Sequence, residues 1–253
     1  MPQVNKSVFK KIYQPKSNSK KGDNGILTII GGSKKYHGAP QYSILAASHF
    51  VDLVYSNAIL SKKIPEYIFG PNFKKSDALL IGPGLGISQK TKNLVNNLTQ
   101  KYSNKKIILD ADALKVVDKK ILKKYGKNII LTPHAGEFKI LFNLPGNQEN
   151  VHKMCKEYGC IVVLKGKKDI VCDKKICYYN NIGNPGMTKG GTGDVLAGLI
   201  AALACKNDLL DAALMGTLLN GLAANDLKKT HGLYFNATEL ASQLPKTLNK
   251  YIK

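Results

Sequence analysis

Five apolar runs in this chain each end in glycine or charged residues, with room for a helix between them. They are ILTIIGGS (26–33), ALLIGPGLG (78–86), IILDADAL (107–114), NIILTPHAGEF (128–138) and IVVLKG (161–166). Strands that alternate with helices at such intervals form parallel βαβ units. The runs lack a polar–apolar alternation, as expected for strands covered on both faces. The predicted class is α/β, with a mostly parallel central sheet and helices on both faces. In such sheets ligands bind beyond the carboxyl ends of the strands. Those ends carry GGS, GPGLG, DAD, TPHAGE and KGK, which predicts one functional rim.

The rest of the chain fills in around this frame. Residues 1–24 are polar and lysine-rich, with Pro15 and few apolar anchors, and read as an arm carrying one short helix. Helices are predicted over 41–50, 88–101 with Ser88 as cap, 148–158, 195–205, 208–226 and 238–249. Residues 51–56 read as a short strand. Residues 169–180 read as a hairpin turning at Asp173-Lys174-Lys175. No linker follows residue 25, so 25–253 is expected to be a single domain. A glycine-rich loop, NPGMTKGGTGD (184–194), leads straight into the apolar helix that follows.

Composition excludes several function classes. Hydrophobic residues make up 43% of the 253 and charged residues 22%, too apolar for wholesale disorder. The net charge is +21, and all 38 basic residues are lysine. Without arginine there is no arginine finger and no bidentate guanidinium clamp on phosphate. Such a charge favours anionic partners. The doublets Lys62-Lys63, Lys74-Lys75, Lys119-Lys120 and Lys228-Lys229 read instead as solvated faces. No nucleic-acid motif or aromatic–lysine face is present, so no nucleic-acid partner is expected. The N-terminus has no signal-peptide core. The longest apolar stretch, 195–205, is too short to span a bilayer. Cys155/Cys160 and Cys172/Cys177 share one spacing, loose for zinc. Reduced cysteines and a cytoplasmic location are the expectation.

Four constellations can carry chemistry. Gly190-Gly191-Thr192-Gly193-Asp194 enters a helix. Its backbone N–H groups can close around phosphate, and Asp194 can serve as a base toward a hydroxyl or simply cap the helix. Neither a Walker A ending nor a GxGxxG spacing is present. Lys165, at a strand end, is a natural phosphate partner or a plain surface turn. Asp110 and Asp112 end another strand and serve either a metal–phosphate site or the loop itself. In TPHAGE, His134 can bind substrate and Glu137 can hold magnesium through water, or His134 is structural.

Together these pieces resemble the ADP- or ATP-dependent NAD(P)H-hydrate dehydratase family, a branch of the ribokinase-like superfamily. The resemblance runs from about Lys21 onward through KGDNGILTIIGGSKKYHGAP, GPGLG, LDADAL, LTPHAGEF, VVLKG and NPGMTKGGTGDVLAGLIAAL, closing on NATELASQLP. It implies a ribokinase-like three-layer sandwich. It also implies a repair enzyme that dehydrates the S epimer of hydrated NADH or NADPH at the expense of ADP or ATP. By the same resemblance Asp194 is the catalytic base. Ala39, Gly84, Gly86, His134 and Asp194 would contact the hydrated dinucleotide. Lys165, Gly166, Lys167, Lys168, Asp169, Gly190, Gly191, Thr192 and Gly193 would bind ADP. Glu137 matches the superfamily's magnesium-associated glutamate. Asn220 and His49 depart from the family, where many members have histidine and arginine. The short segment before the core implies a dehydratase alone, with a separate epimerase as pathway partner. A homotetramer is the family's suggestion, with the apolar face of residues 208–224 as an interface. The alternative reading is a small-molecule kinase of the same superfamily.

Overall fold

The computed structural model describes residues 1–59 and 64–252. The five apolar runs become strands β1 (Ile26–Ile30), β4 (Ala78–Ile81), β5 (Lys106–Leu109), β6 (Ile129–Leu131) and β7 (Ile161–Leu164); the short strand predicted at 51–56 is β2 (Leu53–Ser56), and an edge strand β3 (Ile68–Phe69) joins them. The hairpin supplies β8 (Asp169–Cys172) and β9 (Cys177–Asn180). All nine lie in one sheet of order β3-β2-β1-β4-β5-β6-β7-β8-β9. The first seven in that order run parallel; β8 runs antiparallel to β7, and β9 antiparallel to β8, so β9 again follows the common direction. β3 has no apolar run of its own to announce it, since both its residues are exposed.

Burial on both faces explains the missing alternation. In β4, Ala78 and Leu80 join the core beneath α1 (Ala39–Ala47), α7 (Thr192–Lys206), α8 (Leu209–His231) and α9 (Ala237–Leu248). Leu79 and Ile81 join the opposite core. That second layer contains α2 (Gln89–Lys101), α3 (Asp112–Val116), α4 (Lys119–Tyr125), α5 (Ala135–Phe142) and α6 (Gln148–Tyr158). The result is three layers, because both side-chain directions of a central strand need an apolar partner. The Ser88 hydroxyl accepts from the Thr91 N–H at 3.0 Å, so the predicted cap starts α2.

Several expectations are corrected. Residues 1–24 have more anchors than the sequence suggested. Val4 donates its N–H to the Tyr179 carbonyl at 2.8 Å, extending the β9 edge, and both Val4 and Phe9 are buried. Phe9 stacks on Tyr251 with ring centroids 5.6 Å apart. The apolar face of residues 208–224, offered as a subunit interface, is used within the chain: Ala212, Leu214, Met215, Leu218, Leu219 and Ala223 all lie in the core. Residues 133–138 are not only loop, because α5 begins at Ala135. Lys74-Lys75, Lys119-Lys120 and Lys228-Lys229 are exposed, as solvated faces should be. Lys62-Lys63 lies outside the described residues. Among the described residues no helix is long and apolar enough to cross a membrane.

The cysteines are also corrected. Cys172 and Cys177 face each other across the hairpin register and are joined as a disulfide; Cys155, Cys160 and Cys205 are free and buried. Sequence could not choose this pairing, because only the hairpin register brings the two together. Denatured without reductant, the protein is expected to give three titratable thiols, rising to five after reduction. A thiol titration giving five from the start would show the pair reduced.

Candidate active site

The strand-end loops meet along one edge, linked by hydrogen bonds. The Gly32 N–H donates to the Pro83 carbonyl at 2.8 Å, tying the β1 loop to the β4 loop. The Gly86 N–H donates to Asp112 Oδ2 at 2.8 Å, tying the β4 loop to the β5 loop. Thr132 Oγ1 donates to Asp110 Oδ1 at 2.7 Å, and Lys165 Nζ donates to the same oxygen at 2.9 Å. Thus β5, β6 and β7 converge on one buried carboxylate.

Asp110 and Glu137 are almost fully enclosed, at 1% and 4% exposure. Lys165 stands between them, 2.9 Å from Asp110 and 4.0 Å from Glu137 Oε2. Burial pulls the Lys165 ammonium down, but the Asp110 and Glu137 charges outweigh it and hold the group above its ordinary range. Lys165 also sits against the start of α7. A Cβ placed on Gly193 would lie 3.5 Å from Lys165 Nζ, an ordinary contact that puts the ammonium directly against the Gly193 backbone. Asp194 follows in the first helical turn. Its carboxyl is pushed up to about 8, chiefly by burial, then by Asp110, with Lys165 opposing and Glu137 and Asp112 adding to the rise.

The backbone pays locally for this convergence. Ala111, between the two aspartates, holds φ 51 and ψ −118. A non-glycine residue there costs roughly 1–3 kcal/mol, and such strain clusters at functional sites. Gly82 has φ +134, and a Cβ on it would meet the Asp110 carbonyl at 1.8 Å. Only glycine lets β4 end this close to the Asp110 turn.

The other predicted residues divide by what their polar groups do. His134 caps α5: its Nδ1 accepts from the Gly136 and Glu137 N–H groups at 3.0 and 3.3 Å. With Nδ1 accepting, the neutral ring carries its proton on Nε2, which lies 3.5 Å from Glu137 Oε1. Glu137 returns the cap, accepting from the His134 N–H at 3.0 Å. Asp169 Oδ1 accepts from the Gly166 N–H at 2.9 Å, so its carboxylate closes the 165–169 turn; burial raises it to about 6. Lys167 and Lys168 are exposed, and Lys168 Nζ lies 4.0 Å from the Tyr179 ring centroid. Thr192 Oγ1 donates to the Met187 and Lys189 carbonyls at 2.6 and 2.9 Å, closing the glycine loop. Gly190 and Gly191 form that loop, with Gly191 as the N-cap residue of α7. Ala39 opens α1, and Gly84 packs on the Tyr36 backbone beside it.

The two departures separate in space. His49 is exposed just past α1, near the start of β2 and so at the opposite end of the parallel strands from the rim. Asn220 is buried in α8, and its Oδ1 has no hydrogen-bond partner among the described residues. Two contributors had no sequence signal. Ser43 Oγ donates to the Asp194 carbonyl at 2.9 Å, pinning the first turn of α7 to α1. Thr132, inside a strand end, fixes Asp110.

With this geometry in place, the comparisons with known proteins become specific. The family model described as NAD(P)H-hydrate dehydratase matches residues 27–246. A bifunctional NAD(P)H-hydrate repair enzyme of Methanocaldococcus jannaschii is 38% identical over 95% of this chain; the chain spans about half of it, 51%. An ADP-dependent (S)-NAD(P)H-hydrate dehydratase of Nitrosopumilus maritimus is 34% identical over 97% of this chain and 96% of its own length. Among solved structures, an ADP/ATP-dependent NAD(P)H-hydrate dehydratase from Bacillus subtilis, co-crystallised with ATP/Mg2+, has TM-score 0.85 and 25% identity over 99% of this chain and 98% of its own. A ribokinase-like superfamily protein from Enterococcus faecalis gives TM-score 0.85 and 26% identity over 99% and 96%. The alternative of a small-molecule kinase is overturned by the family match and by both relatives. The three layers are those of the ribokinase-like fold, and the chain belongs to the NAD(P)H-hydrate dehydratase family.

Proposed function

We propose that the protein dehydrates the S epimer of hydrated NADH or NADPH at the expense of ADP, releasing phosphate and AMP. One observation carries this reading: the Asp194 carboxyl opens α7 beside Lys165, the ammonium held between the buried Asp110 and Glu137 carboxylates. A base, a phosphate partner and helix N–H groups are what transfer of phosphate to a substrate hydroxyl requires.

The chemistry follows from those positions. Ionised Asp194 takes the proton of the C6 hydroxyl as its oxygen attacks the β-phosphorus of ADP, and AMP leaves. The C6 phosphate ester then departs as phosphate, pushed by the ring nitrogen lone pair, and loss of the C5 proton restores the dihydronicotinamide. Phosphate is a far better leaving group than hydroxide, which is why a nucleotide is consumed. Lys165 balances phosphate charge, and the Gly193 N–H faces it. His134 presents Nε2–H to the hydrated ring, with Ala39, Gly84 and Gly86 as the backbone wall. Gly166, Lys167, Lys168 and Asp169 form the turn beneath ADP.

Asp110 and Glu137 are hard oxygen donors of the kind that suits Mg2+, but both face Lys165, and among the described residues no three acidic, histidine or cysteine side chains gather as a metal site, so Glu137 would hold magnesium through water. When bound, magnesium neutralises phosphate oxygens. The rim carries Asp110, Asp112, Glu137 and Asp194 against Lys165 and Lys115. A di- or triphosphate therefore enters an acidic site on a strongly basic protein, and a divalent cation offsets that repulsion. Use of the R epimer calls on an NAD(P)H-hydrate epimerase activity, and assembly as a tetramer belongs to the same proposal.

The direct test incubates the protein with hydrated NADH, magnesium and ADP or ATP, and follows recovery of dihydronicotinamide absorbance. Recovery is expected with ADP and requires magnesium. No recovery with either nucleotide sinks the reading.

A further inference from the structure

A cavity opens at the same rim, away from the Asp110–Lys165 cluster. Its volume is about 390 Å³, and the described residues lining it are Gly31, Gly32, Ser33, Lys34, His37, Asn57 and Ile59, none of them a carboxylate. Among the described residues the Ser33 and Lys34 N–H groups donate to nothing. Asn57 Oδ1 accepts from the Gly31 N–H at 3.1 Å, and Asn57 Nδ2 has no partner among the described residues. Consecutive free backbone N–H groups beside a lysine and a histidine form a concavity suited to an anion.

The cavity is continuous with the wall assigned above to the hydrated dinucleotide. Gly32 is bonded to Pro83. A Cβ on Gly84 would meet the Tyr36 carbonyl at 2.4 Å and the Ala39 Cβ at 3.2 Å, so the 33–39 loop lies directly on the GPGLG loop. β1 and β7 are four strand steps apart, about 19 Å at the usual spacing. The rim is therefore long enough for an adenine nucleotide at the β7 end and an extended dinucleotide reaching toward β1 and β2.

We infer that this cavity is a phosphate subsite for the distal half of the hydrated dinucleotide, with Lys34 and His37 as its charged contacts. The inference rests on the dehydratase reading for the identity of the dinucleotide. The phosphate is either the pyrophosphate, common to both hydrates, or the 2′-phosphate, present only on the NADPH form. A cation at the 2′-position would make the pair the specificity determinant between the two.

The products serve as probes, since NADH and NADPH fluoresce and carry the same phosphates. Titrations compare the wild type with Lys34→Ala, Lys34→Ala/His37→Ala and the control Lys35→Ala. Lys35 does not line the cavity; its ammonium lies 5.2 Å from the Tyr36 ring centroid. Loss of one charge-assisted contact is expected to weaken binding about tenfold in Lys34→Ala, and more in the double variant. Equal weakening of both probes assigns the pyrophosphate, and weakening of NADPH alone assigns the 2′-phosphate. Kinetics with the two hydrates should place the effect on KM rather than kcat.

Unchanged affinity in both Lys34 variants, or an equal loss in Lys35→Ala, overturns the subsite. The two readings fail separately. If the wild type binds NADPH through Lys34 but dehydrates nothing, the activity is wrong and the subsite stands. If it dehydrates and the Lys34 variants bind and turn over normally, only the subsite falls.

Discussion

Asp194→Asn is expected to lower turnover roughly 10²- to 10⁴-fold, the usual worth of a positioned general base, while ADP affinity stays within about threefold. The amide keeps the size and the hydrogen-bonding reach of the carboxyl but takes no proton. Single-turnover kinetics and calorimetric ADP binding, measured on one preparation, separate the two effects. Near-normal turnover in the variant would remove Asp194 from the base role.

The same residue makes a pH prediction. The Asp194 carboxyl is pushed up to about 8, mainly by burial and by Asp110. In the free enzyme kcat/KM is therefore expected to rise with pH through an ionisation near that value, as the base becomes ionised. Stability runs the other way. The folded-state value lies above the unfolded one, so the folded protein holds the proton more tightly. The stabilisation from that bound proton is complete below the unfolded carboxyl range and is lost as pH rises through about 8. Asp194→Asn has no such titration. Its melting temperature relative to the wild type should be similar near the unfolded carboxyl range and higher above pH 8 by thermal denaturation. A residue that destabilises its own fold when ionised is characteristic of a site tuned for chemistry.

Lys165→Met is the second large effect. It removes the ammonium bonded to Asp110 at 2.9 Å and leaves Asp110 and Glu137 enclosed without their cation. Breaking a buried pair in this way typically costs about 3–5 kcal/mol. The Lys165 value is raised, so its contribution is in place throughout neutral pH and is lost only above the ordinary lysine range. Denaturant unfolding at neutral pH should show the loss directly. Lys165 also opposes the rise at Asp194, so the kcat/KM inflection of any folded Lys165→Met protein should move to higher pH. A variant with unchanged stability and an unchanged inflection would mean that Lys165 is a surface lysine, as its position after a strand alone allowed.

Asp110 shows how far the linear pattern reaches. The DAD motif marked the end of a strand, and two roles for its aspartates stood open. The fold gives the two residues different work: Asp110 accepts from Lys165 and Thr132, whereas Asp112 holds the Gly86 N–H. Asp112 also takes the local i,i+3 partner Lys115, but the contacts that tie the two aspartates to other loops reach 22 to 55 residues along the chain, beyond what the local sequence shows. His134 shows the opposite error. It read as either a substrate contact or a structural residue; it caps α5, and what went unread is the helix it starts. Histidine is an unusual N-cap, so the usual start signal was absent and the helix went unread. Thr192 and Asp169 were assigned to ADP by resemblance, while their side chains close the loops that would hold it.

The basic arm taught a related lesson. Val4 and Phe9 are single apolar residues among lysines, below the threshold of any periodic signal, but an exposed sheet edge and Tyr251 give them somewhere to pack. Cys172 and Cys177 are likewise ordinary in spacing and become partners through hairpin register.

The sequence by itself determined the architecture and the location of the rim. Five apolar runs with glycine or charged ends can satisfy their backbone and bury both faces in few ways other than a parallel sheet between helices. Only the tertiary structure decided which acids surround Lys165, which polar side chains brace loops, and where the cavity beside Lys34 opens. Those outcomes depend on distances between residues far apart in the chain, and charge, burial and hydrogen bonding act through distance rather than through order along the backbone.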